Sequence, residues 1–181
     1  MKTNRAVLTA IVVVIVAVAG WWMFHRGSAE RIDLLTMYDN ATKKGGQFSL
    51  VDATLEGDAK KAILAPPNGR IIFHVRVPDD GWLKVSLGLK PEAWTTPGDG
   101  VYFYAGVSDG RAFEKLFDQT VNPYANKAER KWIPVSVDLS SYGGQEVDVV
   151  LNTLASNPVG GGQPDDRGDL PLWGAPELVR R

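Results

Sequence analysis

The pattern of apolar and polar positions divides the chain into three stretches with different periods. Residues 6–24 (AVLTAIVVVIVAVAGWWMF) contain no charged side chain, and only Thr9 is clearly polar. As a helix this run covers about 28 Å, close to the hydrocarbon core of a bilayer. Its β-branched centre would favour a strand in water. In lipid a lone strand leaves its backbone unpaired, so the pattern predicts a transmembrane helix. Lys2 and Arg5 flank one end, and Trp21, Trp22, Phe24, His25 and Arg26 crowd the other as the expected membrane-interface and partner-contact group. The basic start predicts a cytoplasmic N-terminus, a single pass through a bacterial inner membrane and a periplasmic C-terminal domain. Ala17-Val18-Ala19 has the small-x-small form of a signal-peptidase site. The apolar run continues beyond it to Phe24, which favours an anchor over a cleaved leader.

Residues 27–46 read as a linker. Apolar positions 32, 34, 35 and 38 predict a short helix within 32–44, and Gly45-Gly46 ends it. From residue 47 the period shortens to that of strands. Strands are expected over 48–55, 62–65, 70–77, 82–89, 101–108, 111–120, 132–139 and 146–154, with a last short one over 176–179. Proline, glycine and aspartate punctuate them: Pro66-Pro67, Pro78-Asp79-Asp80-Gly81, the loop 90–100, the hairpin signal Asp109-Gly110, and the glycine- and aspartate-rich stretch 157–171. No long helical pattern separates these strands. The expected fold is all-β, an antiparallel β-sandwich of jelly-roll type over 47–181, preceded by the anchor at 1–26 and the linker at 27–46.

Composition narrows the chemistry. With no cysteine, the chain forms no disulfide, thiolate zinc site or cysteine-ligated iron–sulfur cluster. The net charge is −1 and no basic run exceeds a pair, which speaks against nucleic acid as a partner. The two histidines, His25 and His74, stand in unrelated settings and do not suggest a metal site; no cofactor is expected. Of the candidate carboxylates Asp79-Asp80, Asp99, Asp109, Glu114, Asp118 and Asp165-Asp166, most adjoin glycine or proline, where carboxylates build turns. No serine-histidine-aspartate arrangement, GxSxG or phosphate loop is present, so no enzyme activity is expected. Asp99, Asp138 and Asp165-Asp166 offer loop oxygens of the kind that bind calcium, with turn formation as the simpler role. Arg167-Gly168-Asp169 matches the integrin tripeptide, a match short enough to arise by chance in a surface turn.

Several segments resemble a β-sandwich domain recurrent in bacterial membrane proteins, itself similar to the galactose-binding-like jelly rolls used as carbohydrate-binding modules. The residues carrying the resemblance are Val77-Pro78 before Trp82-Leu83, Pro91-Glu92-Ala93-Trp94, and Gly98-Asp99-Gly100-Val101-Tyr102-Phe103. They continue in Arg130-Lys131-Trp132-Ile133-Pro134-Val135, Val137-Asp138-Leu139-Ser140-Ser141-Tyr142-Gly143-Gly144-Gln145 and Trp173-Gly174-Ala175-Pro176. The resemblance implies a fold more than an activity. In such modules aromatic platforms stack on sugar rings. Trp94, Tyr102, Tyr104, Tyr124 and Trp173 are the candidates for a sugar platform or loop contact, while Trp82 and Trp132 read as core.

Two functions follow as expectations. The first is a non-catalytic single-span subunit that scaffolds a larger integral-membrane, bioenergetic complex, such as a photosynthetic reaction centre with its antenna. Its partners would be membrane lipid and other integral-membrane subunits. Small residues Ala10, Ala17, Ala19 and Gly20 would let its helix pack closely. The second is a membrane-tethered carbohydrate-binding module acting on envelope glycans.

Overall fold

The computed structural model describes residues 31–155 and 165–181. Among them, eleven strands form two antiparallel sheets, with only short 3₁₀ helices between. The strands are β1 (Arg31–Asp33), β2 (Thr42–Lys44), β3 (Ser49–Leu55), β4 (Asp58–Leu64), β5 (Arg70–Arg76), β6 (Gly81–Leu89), β7 (Val101–Ser108), β8 (Phe113–Val121), β9 (Ile133–Asp138), β10 (Glu146–Leu154) and β11 (Pro171–Arg180). One sheet runs β3-β4-β11-β6-β9, with β1 also on β11. The other runs β2-β5-β10-β7-β8. The all-β sandwich expected from the alternating pattern is therefore present.

Alternation explains the core. Ile71, Phe73 and Val75 of β5, Val147, Val149 and Leu151 of β10, and Phe103, Ala105 and Val107 of β7 are all buried. They meet Ile63, Leu83, Val85, Leu87 and Trp173 of the other sheet in one apolar cluster. Phe103 and Trp173 join the two layers edge to face, with ring centroids 5.0 Å apart. Each such fully buried side chain contributes about 1.5–3 kcal/mol relative to exposure.

A second apolar cluster involves Trp132, Leu55, Ala62 and Leu172. Its register partners Leu172 and Gly88, and Gly174 and Ala62, share the face opposite Trp173. Trp132 lies across it, and its Nε1 donates to the Asp58 carbonyl at 2.9 Å. Two glycines make room. A Cβ on Gly174 would meet Trp132 Cζ3 at 2.7 Å, and one on Gly88 would meet Leu55 Cδ1 at 2.5 Å.

Strand β11 shows how local pattern and tertiary pairing part company. The sequence predicts a strand only at 176–179, because Pro171 and Pro176 lack ladder donors. The strand runs the whole way from Pro171 to Arg180 and absorbs the second proline in an irregularity between Gly174 and Glu177, where Ala175 has φ 43°. On one side it pairs with β6 throughout. On the other it pairs first with β4 and then with β1. Similarly, β4 begins at Asp58 rather than 62. The two-residue turn Glu56-Gly57, with φ 48° and 82°, pins the polar Asp58–Lys61 stretch to β3. The short helix expected within 32–44 is the 3₁₀ helix Leu34–Asn40, and its flanks are β1 and β2.

The entry into β11 holds an unusual acid. Asp169 is buried at 6% exposure, and its Oδ2 has no hydrogen-bond partner among the described residues. Burial, reinforced by Asp99, Asp165 and Asp166, pushes its carboxyl up to about 8. The Arg167-Gly168-Asp169 tripeptide is thus not a displayed surface motif. Its aspartate is inside, and its arginine grips Asp165 through two hydrogen bonds of 2.7 and 2.8 Å.

The expected localisation needs correction. Among the described residues no helix is long and apolar enough to cross a membrane. A span needs about 20 residues, and the 3₁₀ helices here have at most seven. The assignment as a single-pass inner-membrane protein with a periplasmic domain is not retained. The apolar run 6–24, with Trp21, Trp22, Phe24, His25 and Arg26, lies outside the described residues.

Two outcomes are expected. Gly174→Ala forces Trp132 to move and destabilises the fold by about 1–3 kcal/mol, read from denaturant unfolding. An unchanged midpoint would mean that Trp132 relaxes freely. For Asp169, the folded state keeps a proton that the unfolded state releases above the ordinary carboxylate value of 3.8. Stability therefore falls as pH rises from that value toward about 8, and levels off above it. Asp169→Asn should leave the melting temperature near that of the wild type at about pH 4 and raise it at about pH 7.5. A variant that keeps the wild-type slope would show that another group titrates.

Candidate functional site

The outer face of the β2-β5-β10-β7-β8 sheet carries Tyr102, Tyr104 and Phe113. Because Phe103 points into the core, its neighbours Tyr102 and Tyr104 share the opposite face. Tyr104 is half-buried, with its ring centroid 5.7 Å from Tyr102 and 6.2 Å from Phe113, the latter edge to face. Tyr102 is only 3% exposed and supports its neighbour from below. Its hydroxyl accepts from Lys115 Nζ at 3.0 Å, and Lys115 also pairs with Asp118 at 3.0 Å. These contacts raise the Lys115 pKa, through Tyr102 first and Asp118 second, and lower that of Asp118, chiefly through Lys115.

Beside Tyr104 the face dips into an open groove of about 230 Å³. Register places Asn152 of β10 directly opposite Tyr104 on one side and Arg70 on the other. Asn152 is 2% exposed, and its Oδ1 accepts from Arg70 Nε at 2.7 Å. Its Nδ2 has no partner among the described residues. Lys44, at the end of β2, pairs in register with Arg70 and lines the same groove.

Two turns raise the groove's rim. Thr153 points inward and ties down the turn before β5: its Oγ1 donates to the Pro66 carbonyl at 2.7 Å and accepts from Gly69 N–H at 3.2 Å. Asn68 Oδ1 accepts from Ala155 N–H at 3.1 Å. Gly45 follows β2 with φ 90°, and a Cβ there would lie 2.0 Å from the Asn68 carbonyl oxygen. Only glycine lets these two turns close together.

The sequence candidates divide accordingly. Tyr102 and Tyr104 come together on this face. Trp173 is fully buried in the core and offers no surface. Trp94 is half-buried against both apolar clusters, and its Nε1 donates to the Leu89 carbonyl at 3.0 Å. Tyr124 is 45% exposed in the loop after β8, away from the groove's lining. Lys44, Arg70, Asn152 and Phe113 were not among the candidates. Once β5, β7 and β10 are aligned, alternation alone puts Arg70, Tyr104 and Asn152 on one face. What was missing was the strand order.

Other candidates take structural roles. Exposed His74 faces Asp148 across the strand pair, Nδ1 to Oδ1 at 3.2 Å. Asp138 accepts from Ser140 N–H at 2.8 Å, as its turn position suggests, which lowers its pKa. Tyr142 donates to Glu114 Oε2 at 2.5 Å, and its phenol is pushed up to about 12. Among the described residues no group of three or more histidine, aspartate or glutamate side chains is arranged to hold a metal ion.

Comparison with known proteins agrees with this architecture. No family model matches the chain. A curated relative from Archaeoglobus fulgidus, described only as an uncharacterized protein, is 34% identical over 110 residues. That match covers 60% of this chain and 26% of the relative, so the chain spans about a quarter of that relative's length. Among solved structures, CBM51 from Clostridium perfringens GH95, in complex with methyl-galactose, is similar with a TM-score of 0.55 at 15% identity. The similarity covers 82% of this chain and 99% of that one. CBM51-2 with the INT domains of Clostridium perfringens ZmpB, in complex with GlcNAc, gives 0.53 at 9% identity over 83% of this chain and 32% of that one. The K2 cleaved adhesin domain of Lys-gingipain gives 0.52 at 14% identity over 85% and 100%. At these identities the shared property is the β-sandwich fold.

Proposed function

We propose that the β-sandwich is a non-catalytic carbohydrate-binding module of jelly-roll type, with the groove beside Tyr104 as its sugar site. The observation that carries this reading is an aromatic ring set in an open, polar groove on a sheet face. A sugar ring has an apolar C–H face and a rim of hydroxyls. It is best held by an aromatic surface with a few placed polar groups around it, which is the composition here. Tyr104 supplies the ring and Arg70, held by buried Asn152, supplies the guanidinium, with Lys44, Gly45 and Asn68 around them.

The similar solved structures include carbohydrate-binding modules rather than subunits of photosynthetic or other bioenergetic membrane assemblies. Of the two expectations from sequence, sugar binding is therefore the one supported. In this reading the protein holds a glycan and leaves bond cleavage to other domains or proteins.

Screening the chain on a glycan array, followed by calorimetry on the hits, should yield a saccharide ligand. Tyr104→Ala should weaken binding by about tenfold or more, equivalent to about 1.4 kcal/mol, with little change in stability because the ring is half-exposed. Tyr124→Ala should leave affinity unchanged. Binding that survives Tyr104→Ala would place the site elsewhere on the domain.

A further inference from the structure

We infer, building on the sugar-binding reading, that the groove selects an anionic sugar, one bearing a carboxylate or a sulfate ester. The inference rests on where charge is neutralised on this sheet face. Toward one edge and one end, basic side chains lie beside carboxylates, with Arg76 opposite Glu146 in register though not ion-paired with it. Lys115 pairs with Asp118, and His74 lies 3.2 Å from Asp148 and 3.8 Å from Glu146. Asp118, the carboxylate opposite Tyr104 in register, is the one that Lys115 engages.

At the groove this balance breaks. Lys44 and Arg70 line it, and no aspartate or glutamate does. Neither cation has a carboxylate partner among the described residues. Both are exposed, so a ligand can reach them. They are also adjacent: Lys44 and Arg70 are register partners on β2 and β5.

The guanidinium is oriented as well as charged. Arg70 Nε is spent on Asn152 Oδ1 at 2.7 Å, and Asn152 is itself buried in the sheet. That hydrogen bond restrains the side chain and leaves both terminal nitrogens for a ligand. A planar guanidinium held this way matches two oxygens of a carboxylate or sulfate, while the ammonium of Lys44 adds a second, less directional charge. Tyr104 would then read the sugar ring and Arg70 its anionic substituent.

The test compares three oligosaccharide series on the full chain: oligogalacturonate, sulfated galactan fragments and neutral galactan fragments. Calorimetry should show one of the acidic series binding at least about tenfold tighter than the neutral one, with an affinity that falls as salt rises. Which acidic series wins identifies the anion. Arg70→Gln and Lys44→Ala should each remove most of that preference, weakening the acidic series far more than the neutral one. Tyr104→Ala should weaken every series. Equal binding of acidic and neutral fragments, or a preference indifferent to both substitutions, overturns the anionic selectivity and leaves the sugar site standing. Failure of every saccharide to bind overturns both readings together.

Discussion

The packing of Phe103 against Trp173 is the constraint on which the rest of the molecule depends. It is the aromatic contact at the centre of the core, made between β7 of one sheet and β11 of the other. A strand's side chains alternate between its faces, so burying Phe103 commits Tyr102 and Tyr104 to the outside. Register carries the commitment across the sheet. With Tyr104 outward, Asn152 and then Arg70 must share its face, because their neighbours Leu151 and Ile71 are fully buried. A slip of one residue in β10 would turn Asn152 toward the apolar core and Leu151 to the outer face. The candidate site is thus a consequence of core packing rather than an addition to it.

What packing does not determine, the turns do. A sheet face alone is a gently twisted surface. It becomes a groove because Thr153 clamps the Pro66–Gly69 turn and Gly45 allows a second turn to lie against it. The opposite sheet uses small residues differently, with Gly88 and Gly174 admitting Trp132 to cover its outer face. Trp132 thus covers part of one sheet, where half-buried Trp82 still lines an open groove with Lys84, Ser136 and Arg181, and the other sheet opens beside Tyr104.

The strands with clean alternation were legible in the sequence: β5, β6, β7 and β10 begin and end close to where the apolar pattern and the turn residues place them. The failures share one cause. The polar half of β4 is a strand because a two-residue turn forces it against β3, and the proline-bearing start of β11 is a strand because β4 and β6 flank it. Strands β1 and β2 are too short to carry a period and exist only through pairing with β11 and β5. The aromatic candidates show the same limit. Trp173 and Tyr104 are both aromatic residues in strands, and composition cannot tell them apart. Strand order does, by sending one ring inward and the other out. Lys44, Arg70 and Asn152 stand far apart in the chain and meet only through the pairing of β2, β5 and β10.

Polar satisfaction gives an independent pointer to the same place. A fold selected for stability alone would leave few buried donors unpaired, since each costs about 1–3 kcal/mol. In a binding protein such defects gather where a ligand is to complete them. The described residues leave few buried polar atoms without partners, among them Trp173 Nε1, Asp169 Oδ2 and Asn152 Nδ2. The first is sealed in the core. The second sits at the entry to β11, away from the groove's lining, where its carboxyl keeps its proton. Asn152 alone of these three lines an open groove, between a tyrosine ring and two cations without carboxylate partners. Its carbonyl oxygen is spent on orienting Arg70, and its amide nitrogen is buried. Asn152 is thus a supporting residue that fixes the guanidinium on a rigid sheet, and Arg70 is the group left facing the groove.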